Sequence, residues 1–128
     1  MDLTGQVCSE SIGSRQYSGS GGQNDTAEGA IHARNGRSII AVHAAKKGDS
    51  VSTIVPVLAP GAVVSLSRNN LDYLVTEYGT AALRGKSVRD RVRALAGVAH
   101  PKFRRELWEK ALEFGMVTEY DTPPDFTQ

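Results

Sequence analysis

Residues 18–25, SGSGGQND, pose the first chemical question. Gly19, Gly21 and Gly22 leave the backbone bare just ahead of a stretch that reads as a helix. A helix start carries unpaired N–H groups and about half a positive charge, so it favours anions. With no Cβ in the way, successive N–H groups can close on a phosphate or on the oxyanion of a tetrahedral intermediate. The loop is not a Walker loop, because no Gly-Lys-Ser/Thr follows, and it lacks the third glycine of the dinucleotide fingerprint. A plain turn into a helix stands beside the anion-binding reading.

Other residue types offer less. His32, His43 and His100 have no metal-ligand spacing, and a lone cysteine, Cys8, excludes an internal disulfide and a thiolate zinc cluster. No metal site is expected. Cys8 reads as a small buried hydrophobe without an activating neighbour. His43 reads as a satisfied polar residue ending a buried strand, and His100, before Pro101, as a helix-entry contact. Glu77 and Glu10 are the internal carboxylates considered as nucleophiles; a carboxylate at a strand end serves more often as a hydrogen-bond acceptor.

The elements that must hold these residues follow from periodicity. Leu3–Val7 reads as a short strand and residues 9–24 as a loop. Asp25 is placed to N-cap a helix over about residues 26–34, with Glu28 at capping-box spacing. The apolar runs 38–44, 53–58, 63–67 and 73–79 read as strands, the first buried, the second at an edge or bulge because Pro56 cannot donate to a ladder. Ser87 caps a helix with Val88, Val92, Leu95 and Ala99 on one stripe. Pro101 opens another, with Phe103, Leu107, Ala111 and Phe114 as its stripe and Gly115 as its end. Residues 116–128 read as an extended tail that needs a partner surface. The architecture is α/β, an open sheet with flanking helices, in a single unit of 128 residues.

Bulk composition adds limits. A net charge of +1 gives no global signal for nucleic acid or membrane. The charge is nevertheless uneven. Arg84, Lys86, Arg89, Arg91, Arg93, Lys102, Arg104 and Arg105 face a single acid, Asp90, before an acidic C-terminal stretch. This run reads as a solvated helix face. Nucleic-acid binding through residues 84–105 is disfavoured, because aromatics are not interleaved and no DNA-binding signature is present. The sequence shows no signal peptide or bilayer-spanning run, and one cysteine fits a reducing cytoplasm.

The segments DLTGQV, SIG, YSGSGGQND, SIIAVHAAKKGDSVSTIVPVLAPGAVVSLSRNN, YLVTEYGTAALRGKSVRDRVRAL and AHPKFRREL resemble the C-terminal part of the acetyl-CoA hydrolase/transferase family. That family includes acetate, succinate and 4-hydroxybutyrate CoA-transferases. The resemblance covers residues 2 to about 107. It implies a class I CoA-transferase fold of the NagB/RpiA-like kind. It also implies covalent catalysis, in which a glutamate carboxylate attacks an acyl-CoA, forms a mixed anhydride and then a glutamyl-CoA thioester, and releases CoA to an acceptor carboxylate. By the same resemblance the Gly22 N–H belongs to the oxyanion hole, and Gly22, Gly21 and Ser18 contact CoA. Lys47 contacts CoA too, with Lys46 able to substitute.

No residue of this chain matches the family's catalytic glutamate, which lies upstream of the stretch resembling DLTGQV. The chain alone is therefore expected to show no turnover. The resemblance makes coenzyme A a substrate rather than a resident cofactor, with an acyl-CoA and a small carboxylate as partners. It further implies an N-terminal half supplied elsewhere, and a homodimer. A non-catalytic CoA-binding or interaction module is the alternative, since it keeps the loop and needs no glutamate.

Overall fold

The computed structural model of the chain describes residues 1–127. In chain order it contains β1 (Ser11–Ile12), β2 (Arg15–Gln16), α1 (Gln23–His32), β3 (Ile39–Ala41), β4 (Ala45–Lys46), β5 (Val51–Ser52), β6 (Tyr73–Thr76), β7 (Gly79–Ala82), α2 (Val88–Val98) and α3 (Pro101–Glu113). The central sheet has the order β3-β6-β7, with β3 parallel and β7 antiparallel to β6. β1–β2 and β4–β5 are separate antiparallel hairpins. The α/β reading holds. Leu3, Ile54, Leu66, Leu71, Leu74, Leu83, Val92 and Leu95 are fully buried at its centre.

Residues 3–7 are not a strand. Asp2 is buried, and its Oδ1 accepts the N–H groups of Thr4 (2.9 Å) and Gln6 (3.0 Å) while Oδ2 accepts Gln6 Nε2 (2.7 Å). A carboxylate gathering adjacent amides bends the chain, and Gly5 takes φ +98 to complete the bend. Only single bridges remain, Asp2 with Val55 and Val7 with Leu66. Runs 53–58 and 63–67 supply those bridges and form no continuous strands.

Three further expectations are corrected. α1 begins at Gln23 with Gly22 as its N-cap and no side-chain cap, so Asp25 lies inside the first turn and Glu28 meets Asn70 Nδ2 instead (3.2 Å). The apolar run 38–44 yields only β3, with Ile39 55% exposed, because β3 is the edge strand and pairs with β6 alone among the described residues. β7 was absent from the sequence reading: Thr76 pairs with Gly79 across a two-residue turn, and Gly79 at φ +137 reverses the chain.

The two C-terminal helices follow their signals. Ser87 Oγ accepts the Asp90 N–H at 3.2 Å and donates to its carboxylate at 2.8 Å. His100 caps α3 by accepting the Lys102 N–H on Nδ1. The buried stripe of α3 is Arg104, Leu107, Trp108 and Ala111; Phe114 is exposed. Val88 on α2 is exposed as well, so both stripes are rotated slightly from the expected ones.

Arg91 and Arg104 are buried, which corrects the solvated-face reading of the basic run. Arg91 donates to the carbonyls of Lys86, Thr4 and Arg68; Arg104 donates to those of Ala99 and Asp125. Burial pushes both guanidinium groups below their ordinary range. Arg89 is paired with Asp121 at 3.1 Å. The tail packs on its own chain, with Val117 buried and Arg105 over the Phe126 ring at 4.9 Å. Gln128, at the end of the expected tail, lies outside the described residues.

Candidate functional site

The glycine loop leads straight into α1, and its amides are uncommitted. Gly21 sits at φ +58 and Gly22 at φ −91, ψ 11. This alternation of hand turns successive N–H groups toward one side, the geometry of an anion-holding nest. Tyr17 and Ser18 donate to the Glu10 carbonyl at 2.8 and 3.2 Å, which anchors the base of the loop. From Gly19 to Asp25, by contrast, no backbone N–H has a partner among the described residues. The first bond of the helix is Thr26 N–H to the Gly22 carbonyl, at 3.0 Å. The missing side-chain cap matters here: Gly22 in the N-cap position has no side chain to accept one of these amides, so they stay open. A Cβ at Gly19, Gly21 or Gly22 would meet no atom within 4 Å, so open space lies over the loop.

Ser18 is exposed and its Oγ donates to the Gly19 carbonyl at 3.0 Å. Lys47 lies on the β4–β5 turn at φ +54. Gln23, the residue after Gly22, and Lys46, the residue before Lys47, line one cavity of about 570 Å³, whereas Ser18, Gly21, Gly22 and Lys47 are not in its lining. Ser9 Oγ fixes Gln23 by donating to its Oε1 at 2.6 Å. Ile40, Val42 and Leu74 give the cavity an apolar wall. One wall is therefore apolar, and the lining also carries Lys46 and the first residue of α1. That suits a ligand with an anionic and an apolar part.

Cys8 also lines this cavity, and here the sequence reading is corrected. The thiol is only half-buried and lies 3.2 Å from Ser11 Oγ. Burial pushes it up, but hydrogen bonding with the Ser11 hydroxyl and the backbone of Ser11, Glu10 and Val63 outweighs this, so it titrates below the usual thiol range. No spacing in the sequence foretold that neighbourhood, since Val63 comes from a distant loop.

Glu10 is buried. Its Oε1 accepts Gln16 Nε2 at 2.8 Å, and its Oε2 has no hydrogen-bond partner among the described residues. Glu77 is exposed and ends β6 as an acceptor, taking the Ala44 N–H at 2.9 Å. His43 is not buried: its side chain is 91% exposed and its Nδ1 lies 4.0 Å from Glu77 Oε2. Among the described residues, no group of three or more His, Cys, Asp or Glu side chains is placed to hold a metal ion. Among the described residues, no helix is long and apolar enough to cross a membrane.

The Glu77 bonds give a pH prediction. Backbone N–H groups of Glu77 and Ala44 hold its carboxyl below the ordinary 4.5. A depressed folded value means the contribution to stability is complete above pH 4.5 and is lost as pH falls through the folded value. The protection factor of the Ala44 amide, the unstructured exchange rate divided by the observed rate at the same pH, should therefore fall on acidification, and Glu77→Gln should flatten that response. An unchanged acid profile in the variant would refute the assignment.

The parallel pair β3–β6, with the cavity-lining residues Val42 and His43 just past the carboxyl end of β3, defines an α/β protein with a cavity at its strand ends. The chain belongs to the acetyl-CoA hydrolase/transferase family, whose C-terminal domain matches residues 1–111. It is 54% identical over 107 residues to a 4-hydroxybutyrate coenzyme A transferase of Clostridium kluyveri, covering 84% of this chain and 25% of that protein. It is 49% identical over 117 residues to a succinyl-CoA:cyclohexane-1-carboxylate CoA transferase of Geobacter metallireducens, covering 91% and 27%. Among solved structures, RipA from Yersinia pestis superposes with a TM-score of 0.84 at 38% identity, over 91% of this chain and 26% of that one. The chain spans about a quarter of the length of the relatives it matches.

Proposed function

We propose that this chain is the CoA-contacting part of a CoA-transferase that moves CoA from an acyl-CoA to a carboxylate through a glutamyl-CoA thioester. The observation that carries the reading is the row of unpartnered amides from Gly19 to Asp25 beneath open space. Each tetrahedral intermediate of thioester exchange places negative charge on one oxygen, and fixed N–H donors stabilise that charge without reorganising. In this reading the Gly22 N–H serves the oxyanion, Gly21 and Ser18 line the CoA approach, and Lys47 with Lys46 meets its anionic end. The nucleophilic glutamate comes from the portion of the family's length that this chain does not span. The exposed apolar side chains Ile39 and Val42 favour a second polypeptide surface packed at β3.

The buried guanidinium groups argue against nucleic-acid binding, since Arg91 and Arg104 are spent on backbone carbonyls rather than displayed. The test is calorimetric titration of CoA into the chain, alone and combined with a polypeptide carrying the upstream three quarters of a relative. The expected result is binding without acyl exchange by the chain alone, and exchange in the combination. Robust exchange by the chain alone would refute the division of labour. Absence of CoA binding in both arrangements would refute the function.

A further inference from the structure

The turn between β4 and β5 carries three successive left-handed residues, Lys47 at φ +54, Gly48 at +62 and Asp49 at +59. Glycine takes that conformation freely, but Lys47 and Asp49 take it against the clash of their own Cβ atoms. Something must hold them there. Two restraints lie inside the turn: the Ser50 N–H donates to the Lys46 carbonyl at 3.1 Å, and Ser50 Oγ donates to the Lys47 carbonyl at 2.9 Å.

Two more come from the start of α3, about fifty residues away. Lys102 Nζ donates to the Asp49 carbonyl at 3.3 Å, and His100 Nε2 lies 3.6 Å from Asp49 Oδ2. Nδ1 of His100 accepts the Lys102 N–H, so Nε2 is the nitrogen that turns a hydrogen toward Asp49. The ring is a fixed post: its side chain is 18% exposed, against 65% for Asp49, and it packs edge-on against Tyr78 and Phe103.

The held turn displays two adjacent cations. Neither Lys46 nor Lys47 has an ion-pair partner among the described residues, and Lys46 lines the cavity shared with Gln23. We propose that His100 and Lys102 are positioning residues, which fix the left-handed turn so that Lys46 and Lys47 meet the anionic end of the ligand. This deepens the CoA reading and rests on it. Without the two contacts, Lys47 and Asp49 relax toward negative φ and the direction of the Lys47 side chain changes.

The test uses the full chain with the double substitution His100→Asn and Lys102→Met. Asn keeps a side-chain acceptor at the helix start, and Met keeps the apolar stem, so α3 is spared. Exchange of the Ser50 amide should rise about tenfold while amides of β6 and α2 keep their rates, and the Kd for CoA should rise about fivefold. Adding Asp49→Asn should recover part of the affinity, because Asn accepts a left-handed backbone more readily than most residues. An unchanged Ser50 rate overturns the restraint, whatever CoA does. A faster rate with unchanged affinity overturns positioning and leaves CoA binding intact. Lost affinity that Asp49→Asn does not recover means that α3 touches the ligand itself and also overturns positioning. If the parent chain binds no CoA, with or without the upstream polypeptide, the CoA reading fails, positioning fails with it, and the Ser50 rate still decides the restraint separately.

Discussion

Gly22→Ala is expected to fold as the parent does and to lose at least about tenfold in CoA affinity. Two features make the substitution a clean probe. Gly22 sits at φ −91, ψ 11, a conformation open to alanine, and the added Cβ meets no protein atom within 4 Å. The only structural cost is the poorer N-cap, about 1 kcal/mol. The methyl group instead enters the open space at the loop, where the proposed function puts the thioester oxygen. In the complete enzyme the same change should lower kcat about a hundredfold, the usual scale for a disturbed oxyanion donor. Gly29→Ala is the control: it adds a methyl to the same helix, also with no atom within 4 Å, in the interior rather than at the start. It should stabilise α1 by roughly 1 kcal/mol and leave CoA binding alone. Calorimetric affinities beside thermal melts decide the matter. A Gly22→Ala chain that binds CoA like the parent would remove the loop from the site.

How much of this was legible in the sequence depends on range. Capping at Ser87, entry at Pro101 and termination at Gly115 are decided within one helical turn, and each appears where its residues predict it. The start of α1 was misplaced because Asp25 and Glu28 satisfy a local spacing rule, while Asn70 draws Glu28 away from 42 residues off. The run at 3–7 looked like a strand because its composition is apolar and β-branched. Nothing in that composition reveals that Asp2 collects the amides of Thr4 and Gln6.

The same limit applies to the site. Free amides at a glycine-rich helix start are a local property, and the quoted glycines pointed to them. That Lys46, Cys8 and Gln23 share a cavity is a property of the fold, since they arrive from three separate segments. The apolar run 38–44 misled in another way. Its composition is that of a strand covered on both faces, yet Ile39 is exposed on an edge.

Arg91 carries the largest expected effect on stability. Read in sequence it is one cation in a basic run; in the fold its guanidinium bonds Lys86, Thr4 and Arg68 carbonyls from three segments. Arg91→Ala leaves those acceptors without their donor and opens a gap beneath Gly5, whose Cβ position lies 3.0 Å from Arg91 Nη1. Each stranded part-buried carbonyl costs at most about 1–3 kcal/mol, less where water enters, so a loss of about 3–4 kcal/mol is expected. That is a large share of a typical domain's stability and lowers Tm by about 10 °C or more. Lysine cannot reproduce the planar fork, so Arg91→Lys should recover less than half. Arg89→Ala should cost under about 1 kcal/mol, because its bridge to Asp121 leaves the arginine side chain 63% exposed. The effect should also reach the ligand. The Thr4 carbonyl holds the bend that leads through Val7 and Cys8 to Ser9, and Ser9 fixes Gln23 at the helix start. Urea unfolding of the three variants, with CoA titration of whatever remains folded, tests both parts. Equal losses at Arg89 and Arg91 would return the basic run to a solvated face.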